Sequence, residues 1–192
     1  MKVIEMFYPN WRELSIHESS PVNRGTSLKL RTECKRYLPT QYWPDREVGM
    51  TYGGIINVNL EKQLFEKDMF DLVITQDVFE HLYDPESAVK EIYRTLKPNG
   101  SHICTVPLVN KSKPTEKWSI LRNGEVLFLH KPEYHGNPVD PKGSPVSYHY
   151  GYDFAFLVQS WASFSTTMAY IDDITYGIRA EYIEVMVMKK NG

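Results

Sequence analysis

The chain has 192 residues, 42% of them hydrophobic and 24% charged, with a formal net charge of −2. That is apolar material for one core, and too little positive charge to grip a nucleic-acid backbone. No apolar run reaches the length of a bilayer span, and the first residues, MKVIEMFYPNWREL, lack the apolar core and cleavage site of a secretory leader, so a single soluble domain over 1–192 in the cytoplasm is expected.

In chain order, residues 1–12 read as a lead-in laid on the body, with Met6, Phe7, Tyr8 and Trp11 around Pro9. Residues 13–16 are the first strand, followed by a polar loop, His17-Glu18-Ser19-Ser20-Pro21-Val22-Asn23-Arg24-Gly25, and a modest helix over 26–33. A second strand is expected over 36–42, then a loop through Trp43, Pro44 and Asp45, a third strand over 55–60, and a short helix or loop over 61–69.

Residues 70–75 form a nearly continuous apolar run rich in branched side chains, the pattern of a strand covered on both faces in a parallel sheet. Gln76 and Asp77 fall where this strand ends, the end at which open α/β sheets bind ligands. The next helix is punctuated by Asp84 as cap, Pro85 at the first helical position and Glu86 in the first turn. Ala88, Val89, Ile92, Tyr93 and Leu96 form its packing stripe, Lys97-Pro98-Asn99-Gly100 breaks it, and a strand over 101–106 completes a right-handed parallel crossover.

Residues 108–151 change character to Pro, Gly, Lys and His and read as a loop-rich insert whose one clear apolar run is 126–129. His130, Glu133, His135 and His149, with Tyr134, Tyr148, Tyr150 and Asp153, are candidates for a polar pocket wall or lid. The spacing of His130, Glu133 and His135 does not put two histidines on one helical face, and Pro132 opposes a helix, so no metal site is expected. Cys34 and Cys104 carry neither metal nor redox spacing. A helix over 153–164, a strand over 166–171, a turn at Asp172-Asp173 and a last strand over 182–188 close the chain.

The order FDLVI, two polar residues, VFEH, DP, a helix ending RTLKPNG and a strand ending TVP resembles the central part of class I S-adenosylmethionine-dependent methyltransferases. The resemblance is close over 70–107 and looser over 13–107. It implies an α/β fold: a Rossmann-like, mostly parallel seven-stranded sheet with an antiparallel C-terminal hairpin, in three layers. It also implies S-adenosylmethionine as cofactor, held at the strand ends by His17, Glu18, Ser19, Ser20, Gln41, Asn59, Leu60, Gln76 and Val78, with Asp77, His135 and His81 as candidates for proton transfer.

The sequence departs from the family at the first loop. His17, Ser19 and Pro21 stand at the positions of the family's glycines, and Ser15, Gln41 and Asn59 replace three carboxylates. Glycine-poor loops of this kind resemble those of methyltransferase-like domains of sugar and polysaccharide biosynthesis. The expected activity is methyl transfer to an oxygen or nitrogen of a small polar acceptor, a sugar or glycan precursor being one such class, with neither nucleic acid nor membrane as partner. The alternative is a methyltransferase-like domain that binds or scaffolds without catalysis.

Overall fold

The computed structural model describes residues 1–137 and 140–192; residues 138 and 139 of the expected insert lie outside the described residues. Among the described residues, fourteen strands and four α-helices follow in chain order. They are α1 (Lys2–Phe7), β1 (Ser15–Ser19), α2 (Gly25–Glu33), β2 (Arg36–Gln41), β3 (Thr51–Tyr52), β4 (Ile55–Asn57) and β5 (Phe70–Gln76). After these come α3 (Pro85–Thr95), β6 (Leu96–Thr105), β7 (Glu116–Lys117), β8 (Ser119–Arg122), β9 (Glu125–Phe128) and β10 (Tyr134–Asn137). The last are β11 (Asp140–Pro145), β12 (Tyr148–His149), α4 (Phe154–Trp161), β13 (Phe164–Tyr170) and β14 (Glu184–Lys190).

The central sheet has the order β13-β14-β6-β5-β1-β2-β4-β3. The pairs β1/β2, β1/β5, β2/β4 and β5/β6 are parallel, while β14 runs antiparallel to both β6 and β13. This is the expected Rossmann-like sheet with its closing hairpin, and it has eight strands rather than seven because the two residues of β3 add an antiparallel edge to β4.

Apolar side chains on both faces of the sheet bury two clusters and make three layers. One face joins Phe70, Val73, Cys104 and Met186 of the sheet to Ala88, Val89 and Ile92 of α3 and Phe154 and Val158 of α4. The other packs Ile16, Leu72, Ile74 and Ile103 against Ile4 of α1, Trp11, and Leu30 of α2.

The capped helix forms as its sequence dictates, with the Asp84 carboxylate accepting from the Ser87 amide at 3.0 Å and Pro85 at the first position. Elsewhere boundaries move for identifiable reasons. β1 begins two residues and ends three residues later than expected, because His17, Glu18 and Ser19 are buried in the sheet and do not turn away into a loop. The Lys97-Pro98-Asn99-Gly100 turn does not precede β6 but lies within it as a bulge: Phe70 pairs with Leu96 and Leu72 with Ser101.

Asn99 takes φ +65°, and a Cβ at Gly100 would lie 2.9 Å from the carbonyl oxygens of Asp71 and Lys97, so glycine alone fits that turn without a shift. The insert forms three two-stranded ribbons, β7/β12, β8/β9 and β10/β11, where loops were expected. Among the described residues no helix is long and apolar enough to cross a membrane.

Candidate functional site

Polar chemistry gathers at the carboxyl end of β5. Asp77 takes φ +52°, a left-handed conformation that ends the strand abruptly, and Gln76 and Asp77 engage different partners. Gln76 donates from Nε2 to Glu18 at 2.6 Å, whereas Asp77 accepts from the Thr105 hydroxyl at 3.0 Å.

Glu18 is the hub of the first set. It has no exposed surface, and its carboxylate accepts from the hydroxyls of Ser27 at 2.7 Å and Tyr37 at 2.5 Å as well as from Gln76. Burial raises its pKa, and the three donors pull it back. His17 points elsewhere: it is fully buried, its Nε2 2.8 Å from the Thr40 hydroxyl and its ring 5.1 Å from those of Phe65 and Phe70. Desolvation lowers its pKa to about 3, so it is a neutral core side chain. His17 and Glu18 were expected in a loop facing a cofactor, and the structure puts both in β1 beneath the surface.

The remaining expected cofactor contacts spread along the same edge. Ser19 is buried at the end of β1, and Ser20 turns the chain at φ +58° with its amide bonded to the Thr40 carbonyl at 2.8 Å. Gln41 ends β2, half-buried. Asn59 accepts from the Glu61 amide at 2.8 Å, while Leu60 and Val78 are buried in the apolar cluster of the α3 face. Asn57 does more than sequence reasoning gave it: its amide donates to the carbonyls of Trp43 and Arg46 at 3.0 Å each and pins the loop after β2.

The second set assembles Asp77 with Glu80, His81 and His135. Glu80 and His81 sit on a 3-10 turn, Phe79–His81, directly after β5, and β10 brings His135 to them. The β10/β11 ribbon is tied down there, since the Ser147 amide donates to the Glu80 carbonyl at 2.7 Å and His81 Nδ1 lies 2.9 Å from the Pro145 carbonyl. The rings of His81 and His135 meet edge to face at 5.3 Å.

Partial enclosure, and then the charge of Glu80, raise the carboxyl of Asp77, and Glu80 beside His135 raises the imidazole. His81 and His135, two of the three residues expected to move protons, are brought together with Glu80, and Asp77 lies within electrostatic reach of them; Glu80 was overlooked, and its adjacency to His81 in VFEHL was the available signal. His130 turns away, 3.2 Å from Glu116, with its ring stacked on Trp118.

On the α1 face, a hollow of about 250 Å³ opens beside the ends of β5 and β6. Gln76 and Thr105 give it a polar rim, Ile74 and Ile103 a floor, and Ile171 and Ile183 an apolar wall.

A family profile described as a methyltransferase domain matches residues 32–104, from the last turn of α2 to the end of β6. That match starts after β1 and its glycine-poor continuation. No curated protein matches the sequence. Among solved structures, a protein of Pyrococcus horikoshii OT3 superposes with a TM-score of 0.63 at 16% identity, covering 99% of this chain and 87% of that one. An S-adenosylmethionine-dependent methyltransferase from Mesorhizobium loti gives 0.61 at 13% identity, covering 99% and 96%. The 1,6-didemethyltoxoflavin-N1-methyltransferase of Burkholderia thailandensis, solved with its acceptor and S-adenosylhomocysteine, gives 0.62 at 10% identity, covering 100% and 76%. With the strand order, these likenesses establish that the chain has the Rossmann-like fold of the class I methyltransferases.

Proposed function

We propose that the chain is an S-adenosylmethionine-dependent methyltransferase acting on an oxygen or nitrogen of a small polar acceptor, with sugar and glycan precursors the first acceptors to try. The observation that carries this reading is the split at the end of β5. Gln76 faces a hydrogen-bonding network and Asp77 faces titratable groups, so one strand end offers a binding side and a proton-transfer side.

The residues fit the cofactor's chemistry. Ser20, Gln41, Asn59 and Gln76 offer neutral hydrogen-bonding groups at or just beyond the carboxyl ends of β1, β2, β4 and β5, where a zwitterion, a ribose diol and an adenine need them, while the buried Ser19, Leu60 and Val78 support those strand ends from within. Glu18, being buried, acts through the groups it orients, Gln76 and Ser27, and His17 supports the strand from below.

When bound, S-adenosylmethionine supplies a methyl group on a sulfonium, which is already a good leaving group. The chain's part is to align donor and acceptor and to take the acceptor's proton. Asp77 is the first candidate base, because its raised pKa brings it nearer to working pH and Thr105 fixes one oxygen. His135 and His81 stand beside it as alternates.

Calorimetric titration with S-adenosylmethionine and S-adenosylhomocysteine tests the reading. Micromolar dissociation constants are expected, and no heat at millimolar ligand would sink it. One observation favours the rival, a non-catalytic binding module: all the hydrogen bonds around Glu18 are internal, so the floor where relatives in fold have bare glycine backbone is filled with side chains.

A further inference from the structure

Among the described residues Glu80 is the one buried carboxylate with both oxygens unpaired. Its side chain is 3% exposed, and neither carboxylate oxygen has a hydrogen-bond partner among the described residues. Burying a carboxylate carries a large desolvation cost, so native structures pair such groups or put them on a metal.

Two imidazoles face it at distances that are too long for hydrogen bonds. His81 Nε2 lies 3.8 Å and His135 Nδ1 3.7 Å from Glu80 Oε1. Two ligands each 2.0–2.1 Å from a tetrahedral ion stand about 3.3 Å apart, so a small contraction would seat an ion between these atoms. One ligand atom from each of Glu80, His81 and His135 lies within 4.8 Å of the others.

The outer nitrogens of both rings are committed in the way that frees the inner ones. His81 Nδ1 is 2.9 Å from the Pro145 carbonyl, which can only accept, so in the neutral ring the proton sits on Nδ1 and Nε2 presents its lone pair toward Glu80. His135 Nε2 is 3.3 Å from Glu133 Oε1, which places its proton on Nε2 and leaves Nδ1 to face Glu80. Glu133 is steadied in turn by His149 Nε2, 3.1 Å from its other oxygen. Metal-bound histidines show this carbonyl or carboxylate support behind the ring.

We propose that Glu80, His81 Nε2 and His135 Nδ1 bind one divalent transition-metal cation of the zinc, cobalt or manganese type. Two imidazoles and one carboxylate favour such an ion over magnesium or calcium, which prefer all-oxygen sites. Three protein ligands leave at least one coordination position for water or for an oxygen of a bound molecule. On the methyltransferase reading, on which this clause alone rests, that position beside Asp77 receives a hydroxyl oxygen of the acceptor.

The test titrates the intact chain with Zn²⁺ by calorimetry and with Co²⁺ by visible absorption, in the absence of S-adenosylmethionine. The expected result is one ion per chain with micromolar affinity, weakened about 100-fold in Glu80→Gln and in His135→Ala and unchanged in His130→Ala. His135→Ala alters a half-exposed ribbon position and carries the test if Glu80→Gln does not fold. Wild-type chain that takes up no ion at millimolar metal overturns the proposal, as does one-to-one binding that His135→Ala leaves intact. Because no cofactor is present, failure here is separate from failure to bind S-adenosylmethionine.

Discussion

Two buried glutamates, one on β1 and one just after β5, present opposite cases. Glu18 is surrounded by donors and has every one of them aligned, whereas Glu80, equally hidden, has near it one imidazole tied to a carbonyl and one tied to a carboxylate, and no hydrogen bond to its own carboxylate. A satisfied carboxylate of the first kind holds elements together: Glu18 links β1 to α2, β2 and β5 through Ser27, Tyr37 and Gln76. An unsatisfied one lowers local stability unless something else supplies the missing interactions. The difference separates architecture from a site more sharply than burial or charge alone.

Replacing each carboxylate should therefore move stability in different directions. Glu18→Ala leaves three donors unpaired and should cost about 3 kcal/mol or more in urea denaturation; a loss below about 1 kcal/mol would mean the network is ornamental. If the other side of β5 carries the chemistry, Asp77→Asn should lower turnover about 100-fold while leaving the urea midpoint nearly unchanged, and full activity in that variant would remove Asp77 from the mechanism.

The histidines can be divided in the same way. His17 and His102 are both fully buried, with pKa values lowered to about 3 by desolvation, against 6.5 when unfolded. Because the unfolded chain takes up these protons first, stability is unaffected above pH 6.5 and is lost as pH falls below it, by about 1.4 kcal/mol per pH unit for each histidine. His102→Gln, which keeps a partner for the Thr75 hydroxyl now 2.9 Å from Nε2, should remove one histidine's share of that slope between pH 6 and 4. An unchanged slope would show that the ring is solvated.

The smallest effect is expected at Glu80. In chelator, Glu80→Gln should be neutral or stabilising by about 1 kcal/mol, because a buried carboxylate without hydrogen bonds is removed. In saturating Zn²⁺ the order should reverse, since the wild type alone gains ligand-linked stability, about 2.7 kcal/mol at a hundredfold excess over the dissociation constant. A destabilised variant in chelator would place Glu80 with Glu18 as a structural group.

What the sequence showed of this molecule follows the range of the interactions involved. The Asp84 cap, Pro85 and the apolar stripe of α3 act within a few residues, and they were legible, as were the apolar run of β5 and the antiparallel closing strands. β1 was cut short because His17 and Glu18 look like loop residues until Thr40, Ser27 and Gln76 arrive from elsewhere to satisfy them. Most of the insert read as loop because β7, β10, β11 and β12 are short and polar, while its one apolar run, 126–129, falls on β9. The Glu80, His81 and His135 cluster spans 80 to 135, a separation no local spacing rule covers; helical spacing was the wrong template for a ribbon histidine meeting a 3-10 turn. The site residues offered for a cofactor rest on the resemblance, and of these His17 and Glu18 stand in the stretch where the sequence departs from the family and have their side chains turned inward.

β14 occupies the middle of one flank of the sheet, hydrogen-bonded to β6 on one side and β13 on the other, and its Lys190 reaches back to Asp68 at 2.9 Å and the Leu96 carbonyl at 2.6 Å. As these residues leave the ribosome, the flank of β6 must wait unpaired until residues 184–190 emerge, with Cys104 and Ile103 bare in the meantime. The nascent chain is thus exposed to misassociation along β6 until β14 has emerged, and any chaperone that protects it would have to hold on until then.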